Sequence, residues 1–206
     1  MRMRDIGVAL AISLSSVALC AAQGASTQGL NTKVSSEDFR TMAGKCAPDV
    51  PLVTLRAIAR AESAFHPYAL SLDYPLRTAR EQGLSQGGIF LARQPRDAAE
   101  ARTWAHWLVQ HGHSVSIGLM QISTRHARDL NLTADQLFDP CTNLRAGAQI
   151  LKAAYQQAAA VRGKGQDALR HALSSYNSGS EILGFDNGYV SNVVEGDFDQ
   201  KIRGER

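Results

Sequence analysis

Glutamate 62 is the residue in this chain best placed to do acid–base chemistry. It follows Leu52, Leu55, Ile58 and Ala59 along a stretch whose apolar residues recur at helical spacing, and it falls on their stripe, while Arg56 and Arg60 face elsewhere. A carboxyl on an apolar helix face is costly unless it is paired or protonated. The last turn of a helix adds to this, because the negative end of the helix dipole disfavours a second negative charge. Both effects raise the pKa toward the range useful to a general acid at neutral pH. A glutamate that curls out to solvent or pairs with an arginine would satisfy the same pattern without chemistry.

Two later stretches bring further candidates. Ser116-Ile117-Gly118-Leu119-Met120-Gln121-Ile122 holds a glycine where backbone can approach a ligand and a glutamine able to donate and accept hydrogen bonds. Met120, Ile117 and Ile122 there read equally well as core. Ser175-Tyr176-Asn177-Ser178-Gly179-Ser180 holds a phenol beside a carboxamide, and Asn177-Ser178-Gly179 is also an ordinary helix stop.

The elements that must position these groups are mainly helical. Asp49 can cap a helix that has Pro51 in its first turn and runs to about Ala64. Pro95 opens an alanine-rich helix containing Trp104, Trp107 and Leu108, which Gly112 stops. Asn143 can cap a long helix to Arg162, closed by Gly163; Gln166 to Asn177 and Tyr189 to Glu195 form two more. Gly87–Leu91 and Ser114–Ile117 look like short strands able to pair. The expected class is mainly α (α+β) with a small β element.

Composition limits the alternatives. The 206 residues are 44% hydrophobic and 20% charged, which suits one globular core and not a disordered chain. The 17 glycines and 6 prolines follow no period, so collagen-like and low-complexity readings fail. Net charge is only +3, with no basic run of the kind that marks a nucleic-acid surface.

Arg2 and Arg4, the apolar stretch Ile6–Leu19 and the small residues Ala21 and Ala22 read as a signal peptide over 1–22. The apolar run is shorter than the roughly 20 residues a spanning helix needs, and no later stretch is apolar enough, so no stable membrane span is expected after signal removal. The rest divides into a polar linker at 23–36, a compact domain at 37–195 and a charged, flexible tail at 196–206. Lipidation at Cys20 is conceivable, although Leu19 is bulkier than the small residue expected before it. Without Cys20 the cysteines are an even pair, Cys46 and Cys141; outside the cytoplasm a disulfide is favoured over two free thiols.

Taken in order, Glu62-Ser63-Ala64-Phe65-His66-Pro67, Gly118-Leu119-Met120-Gln121-Ile122 and Tyr176-Asn177-Ser178-Gly179 resemble the three motifs of the soluble lytic transglycosylases. Cys46, the segment Asp139-Pro140-Cys141-Thr142-Asn143-Leu144 with Gly147, and Gly184-Phe185-Asp186-Asn187-Gly188-Tyr189-Val190 resemble the branch serving type IV secretion systems. The stretch from Glu62 to Ser116 is longer than in the stand-alone enzymes, as it is in that branch. The likeness covers roughly Glu37 to Glu195.

This resemblance implies a lysozyme-like helical domain that cleaves the β-1,4 bond between N-acetylmuramic acid and N-acetylglucosamine in periplasmic peptidoglycan, leaving a 1,6-anhydromuramyl end. It implies Glu62 as acid and then base. Ser63, Ser116, Gly118, Met120, Gln121, Tyr176 and Asn177 would bind substrate: Ser63 at the N-acetyl or ring region, Met120 as an apolar floor, and Tyr176 with its hydroxyl toward Glu62 or the sugar. Partners would be peptidoglycan glycan strands and type IV secretion components, with no cofactor. A lysozyme-type hydrolase and a non-catalytic wall-binding assembly subunit are the alternatives. His106, His111 and His113 lack a sensibly spaced third ligand for zinc. Asp73, Asp129 and Asp139 read as loop or turn residues rather than a second catalytic carboxylate. Trp104 and Trp107 read as core packing rather than sugar platforms.

Overall fold

The computed structural model describes residues 33–73 and 88–203, with side chains over 33–73 and 91–196. The expected signal peptide, Cys20 and most of the linker lie outside the described residues. Among these, no helix is long and apolar enough to cross a membrane.

Helix α1 (Ser36–Cys46) starts where the Ser35 side chain accepts the Asp38 N–H, with Glu37 and Asp38 in the positive first turn. Cys46, its last residue, is bonded to Cys141, joining positions 95 apart in sequence. Helix α2 (Leu52–Ser63) follows Pro51. Asp49 does not cap it: its carboxylate takes the Lys152 ammonium at 2.8 Å, and Pro51 occupies the cap position without a side-chain bond. Leu55, Ile58 and Ala59 are fully buried on the stripe read from the sequence, while Leu52 sits at its edge, partly exposed.

A four-stranded antiparallel sheet comes next, built from β1 (Leu70–Asp73), β2 (Gly88–Phe90), β3 (Val115–Ile117) and β4 (Ile122–Ser123) in the order β2-β1-β3-β4. The two strands read from the sequence do not pair with each other. Both flank β1, with Ser71 opposite Phe90 on one side and Ser116 on the other. β1 escaped the sequence reading because Leu70-Ser71-Leu72-Asp73 is only four residues long, too short for its alternation to stand out.

Helix α3 (Ala98–Gln110) lies between β2 and β3, capped by Asp97, whose carboxylate accepts the Glu100 N–H at 2.9 Å. Trp104 packs against the core under the Arg93 guanidinium. Trp107 does not join it; it is 55% exposed and stacks on His111. A short α4 (Thr124–Asp129) leads through a 3-10 turn to α5 (Pro140–Arg162). The cap of α5 is Asp139, which accepts the Thr142 N–H at 2.7 Å, with Pro140 in the first turn. Asn143, expected as the cap, is instead a completely buried interior residue.

Helices α6 (Gln166–Ser178), α7 (Leu183–Asp186) and α8 (Tyr189–Arg203) complete the fold. α8 runs on past Glu195 through the segment read as a tail. Its glycine at 196 lies so close to the Arg60 guanidinium of α2 that any Cβ there would collide with it. The buried side chains of α1, α2, α5, α6 and α8 and one face of the sheet form a single core. This is the mainly helical, lysozyme-like class with a small sheet.

Candidate active site

Glu62 stands in the last turn of α2, and the helix stops abruptly just after it. Ala64 and Phe65 both take left-handed backbone angles (φ 48° and 65°), and their N–H groups reach back to Arg60 and Ala59. Neither residue is glycine, so each costs about 1–2 kcal/mol, which the surrounding packing must offset. The Phe65 ring, edge-on to Phe39 at 5.3 Å, supplies part of that packing.

The Glu62 carboxyl is crowded by protein, and this loss of water pushes its pKa from 4.5 up to about 7. Burial is thus the dominant cause. One group works against it: the Tyr189 hydroxyl donates to Oε1 at 2.6 Å and favours the ionised form. Tyr189 is itself buried and its phenol is held well above its ordinary pKa, first by burial and then by the Glu62 charge. It therefore stays a donor.

Tyr189 was not among the residues singled out as functional. The sequence signal for it is faint: an Asn-Gly pair followed by an aromatic at a helix start. The structure supplies the rest. Asn187 Oδ1 accepts the Tyr189 N–H at 3.0 Å, and Asn187 Nδ2 donates to Asn177 Oδ1 at 2.9 Å. Asn177 thus holds the base of the helix that presents Tyr189. Two residues before Glu62, the Arg60 guanidinium donates to the backbone carbonyl and side chain of Asn192, pinning α2 to α8.

The other wall is the turn between β3 and β4. Gly118 has φ 81°, donates its N–H to Ala69 and accepts the Gln121 N–H at 3.1 Å. A side chain at 118 would run into the Asn143 carboxamide, so glycine is required both by angle and by space. Asn143 fills the middle of the turn. Its Oδ1 accepts the Met120 N–H at 2.8 Å, and its Nδ2 donates to the carbonyls of Ile117 and Leu137 at 2.7 and 2.9 Å. Gln121 locks the turn to β1, donating to Ala69 and Gly118 and accepting the Ser71 hydroxyl at 2.8 Å.

Several residues expected to touch sugar are occupied by the protein. The buried Ser63 hydroxyl lies 2.9 Å from the Leu119 carbonyl and 3.1 Å from that of Ala59, so it ties α2 to the turn. The Met120 side chain is fully buried against Gly147 of α5, where no Cβ would fit, and is no exposed floor. Tyr176 donates its hydroxyl to the Met120 carbonyl at 2.7 Å rather than to Glu62. It still feels that carboxyl, whose charge joins burial in raising the phenol's pKa. Ser116 lies farther out on the sheet and donates to Asp73 at 2.6 Å. The structure therefore gathers Glu62, Ser63, Gly118, Gln121 and Tyr176 around one turn, with Asn177 acting through Asn187.

The arrangement provides one carboxyl able to carry or release a proton near neutrality, bonded to one phenol and backed by a rigid turn. Among the described residues no group of three or more His, Cys, Asp or Glu side chains could hold a metal ion.

Residues 41–195 match the family described as transglycosylase SLT domain. The chain is 38% identical over 167 residues to protein virB1 of Rhizobium radiobacter, covering 81% of this chain and 64% of that protein. It is 36% identical over 162 residues to type IV secretion system protein virB1 of Brucella abortus biovar 1, covering 76% of this chain and 62% of that one. The chain thus spans less than two thirds of the length of these relatives. No solved structure matches.

Proposed function

The chain belongs to the transglycosylase SLT domain family, and from that premise we propose that it is a peptidoglycan lytic transglycosylase that opens the wall locally for a type IV secretion apparatus in the periplasm. The observation that carries this reading is the Glu62 carboxyl. With a pKa of about 7 it is about half protonated at neutral pH, so it can give up a proton and recover one under the same conditions.

Glu62 protonates the oxygen linking the muramyl C1 to the next sugar, and that C1–O bond breaks. The muramyl N-acetyl oxygen covers C1 as the leaving sugar departs. The 6-hydroxyl of the same sugar then displaces it at C1, and its proton passes to the Glu62 carboxylate. The product is a 1,6-anhydro ring and the acid is regenerated. Tyr189 steadies the carboxylate between the two transfers. Its hydrogen bond favours the ionised form, while burial favours the neutral one, and the two effects leave the group poised between its roles. Gly118, Gln121 and Ser63 hold the wall against which the sugar lies; Ser116 offers a polar contact beyond it.

The relatives' names supply the reading of a type IV secretion partner, and their match to this chain supports it. The test is Glu62→Gln in purified protein with isolated peptidoglycan. We expect wall binding to persist while turnover falls about 100-fold or more, the ordinary loss when acid catalysis is removed. Mass spectrometry of the wild-type products should find anhydromuramyl ends. Reducing muramyl ends would replace this reading with a hydrolase, and unchanged turnover in the variant would remove Glu62 from the mechanism.

A further inference from the structure

Helix α6 carries three polar side chains at three-residue spacing, His171, Ser174 and Asn177, which share one ridge of the helix. Each is bonded to the residue ten positions further on. His171 Nδ1 donates to the Glu181 carbonyl at 2.8 Å, since a carbonyl can only accept. Ser174 Oγ accepts the Gly184 N–H at 2.8 Å, and Asn177 Oδ1 accepts from Asn187 Nδ2 at 2.9 Å. An offset of ten repeated three times means that the segment carrying α7 keeps step with α6, rung by rung. The Phe185 ring, 4.9 Å from that of His171, packs between the first two rungs.

The middle rung is the tightest. Ser174 is completely buried, where a hydroxyl is costly unless it is bonded. Its proton goes to the Ser180 carbonyl at 2.6 Å and its lone pair to Gly184. Gly184 is buried as well, and a Cβ there would lie 2.6 Å from the Ser174 Cα and 2.9 Å from its Cβ. The first of these atoms is backbone and cannot swing aside. α7 is helical at this point, so its angles suit any residue and space alone calls for glycine. Three residues later Asn187 Oδ1 accepts the Tyr189 N–H at 3.0 Å, and the Tyr189 hydroxyl reaches Glu62 Oε1 at 2.6 Å. Contacts thus lead from Ser174 through α7 to the acid.

We propose that Ser174 and Gly184 are positioning residues for the acid: their close contact, with a rung on either side, fixes α7 and so sets where the Tyr189 hydroxyl meets Glu62. Both act through Tyr189 and take no part in proton transfer themselves. The inference rests on reading Glu62 as the proton carrier, and it extends that reading to the residues that place its partner. Among the described residues the titratable groups that feel Glu62 are Tyr189 of α8 and Tyr176 of α6, and the Arg60 guanidinium of α2 bears on Tyr189. Tyr176 is held separately, by the Met120 carbonyl. Displacing α7 therefore acts on the carboxyl through Tyr189, and weakening that bond lets Glu62 keep its proton to higher pH.

The experiment follows the ionisation of Glu62 in the full chain by carbon NMR of the side-chain carboxyls, its resonance identified by its loss in Glu62→Gln. Gly184→Ala pushes α7 off α6, and the midpoint should rise above about 7, the direction expected of Tyr189→Phe. In a Tyr189→Phe background the same substitution should add no further shift, because the bond through which it acts is already gone. With isolated peptidoglycan kcat should fall about 3- to 10-fold at unchanged KM, the worth of one hydrogen bond. Ser174→Ala brings no collision; it should move the midpoint the same way by less, and it covers the case in which Gly184→Ala does not fold. A midpoint that stays in place or falls in the folded variants overturns the proposal, as does a shift of equal size with and without the Tyr189 hydroxyl. If the wild type cleaves no wall yet the midpoint rises in Gly184→Ala and only when that hydroxyl is present, the positioning role stands and the enzymatic reading falls.

Discussion

Replacing Glu62 by glutamine is expected to stabilise the fold at alkaline pH while lowering turnover about 100-fold or more. The size of the effect follows from the protonation equilibrium. Folding moves the Glu62 pKa from 4.5 to about 7, and each tenfold change in that equilibrium is worth about 1.4 kcal/mol, so ionised Glu62 costs the folded state about 3 kcal/mol. Because the folded pKa is the higher one, the folded chain binds the proton more tightly than the unfolded chain. Below about pH 4.5 both states carry the proton and no penalty exists. Between pH 4.5 and about 7 only the unfolded state ionises, and stability falls as pH rises; above about 7 the loss is complete. Glutamine is neutral throughout and its oxygen can still accept the Tyr189 hydroxyl. Urea unfolding of both proteins at pH 5 and pH 8 measures the difference. The variant should gain about 3 kcal/mol over the wild type at pH 8 and about 0.5–1 kcal/mol at pH 5. An equal difference at the two pH values would refute the argument, since it would mean that the carboxyl ionises as easily in the folded chain as in water.

Tyr189→Phe removes the bond that favours the carboxylate, so Glu62 should lose its proton only above about pH 7; the alkaline limb of kcat/KM should move upward, and an unmoved limb would dismiss the contact. Asn143→Ala should destabilise the chain by about 3 kcal/mol or more, because it strands the buried Met120 N–H and leaves two carbonyls without their donor. Thermal unfolding checks it, and a loss under about 1 kcal/mol would mean that water or a relaxed turn replaces the carboxamide.

The acid was readable because its signal is local. A carboxylate on an apolar helical stripe is an anomaly visible from spacing alone, and burial is indeed what raises its pKa. The long helices were readable for the same reason, since periodicity and the glycine stops lie along one stretch of chain. Ser63, Met120 and Tyr176 were identified as part of the site by their motifs, but what their side chains touch was not. Their partners are the carbonyls of Leu119 and Met120 and the open side of Gly147, and those lie elsewhere in the chain. A side chain's hydrogen-bond partner is chosen by proximity in space, and short motifs carry no record of it.

Asn143 and Asp49 make the same point from the other direction. Each is a good helix-capping residue by type, yet Asp139 and Pro51 hold those places, leaving Asn143 to fill a turn and Asp49 to meet Lys152. Tyr189 came into contact with the carboxyl only on folding, because α8 packs against α2 and brings its hydroxyl to Glu62. Amino-acid order along the chain was enough for the fold class, the disulfide pair and a carboxyl on an apolar stripe whose pKa is raised, all of which depend on composition or on neighbours a few residues apart. The phenol bonded to that carboxyl and the turn that Asn143, Ser63 and Tyr176 hold depend on contacts between distant segments, and these exist only once the core has closed.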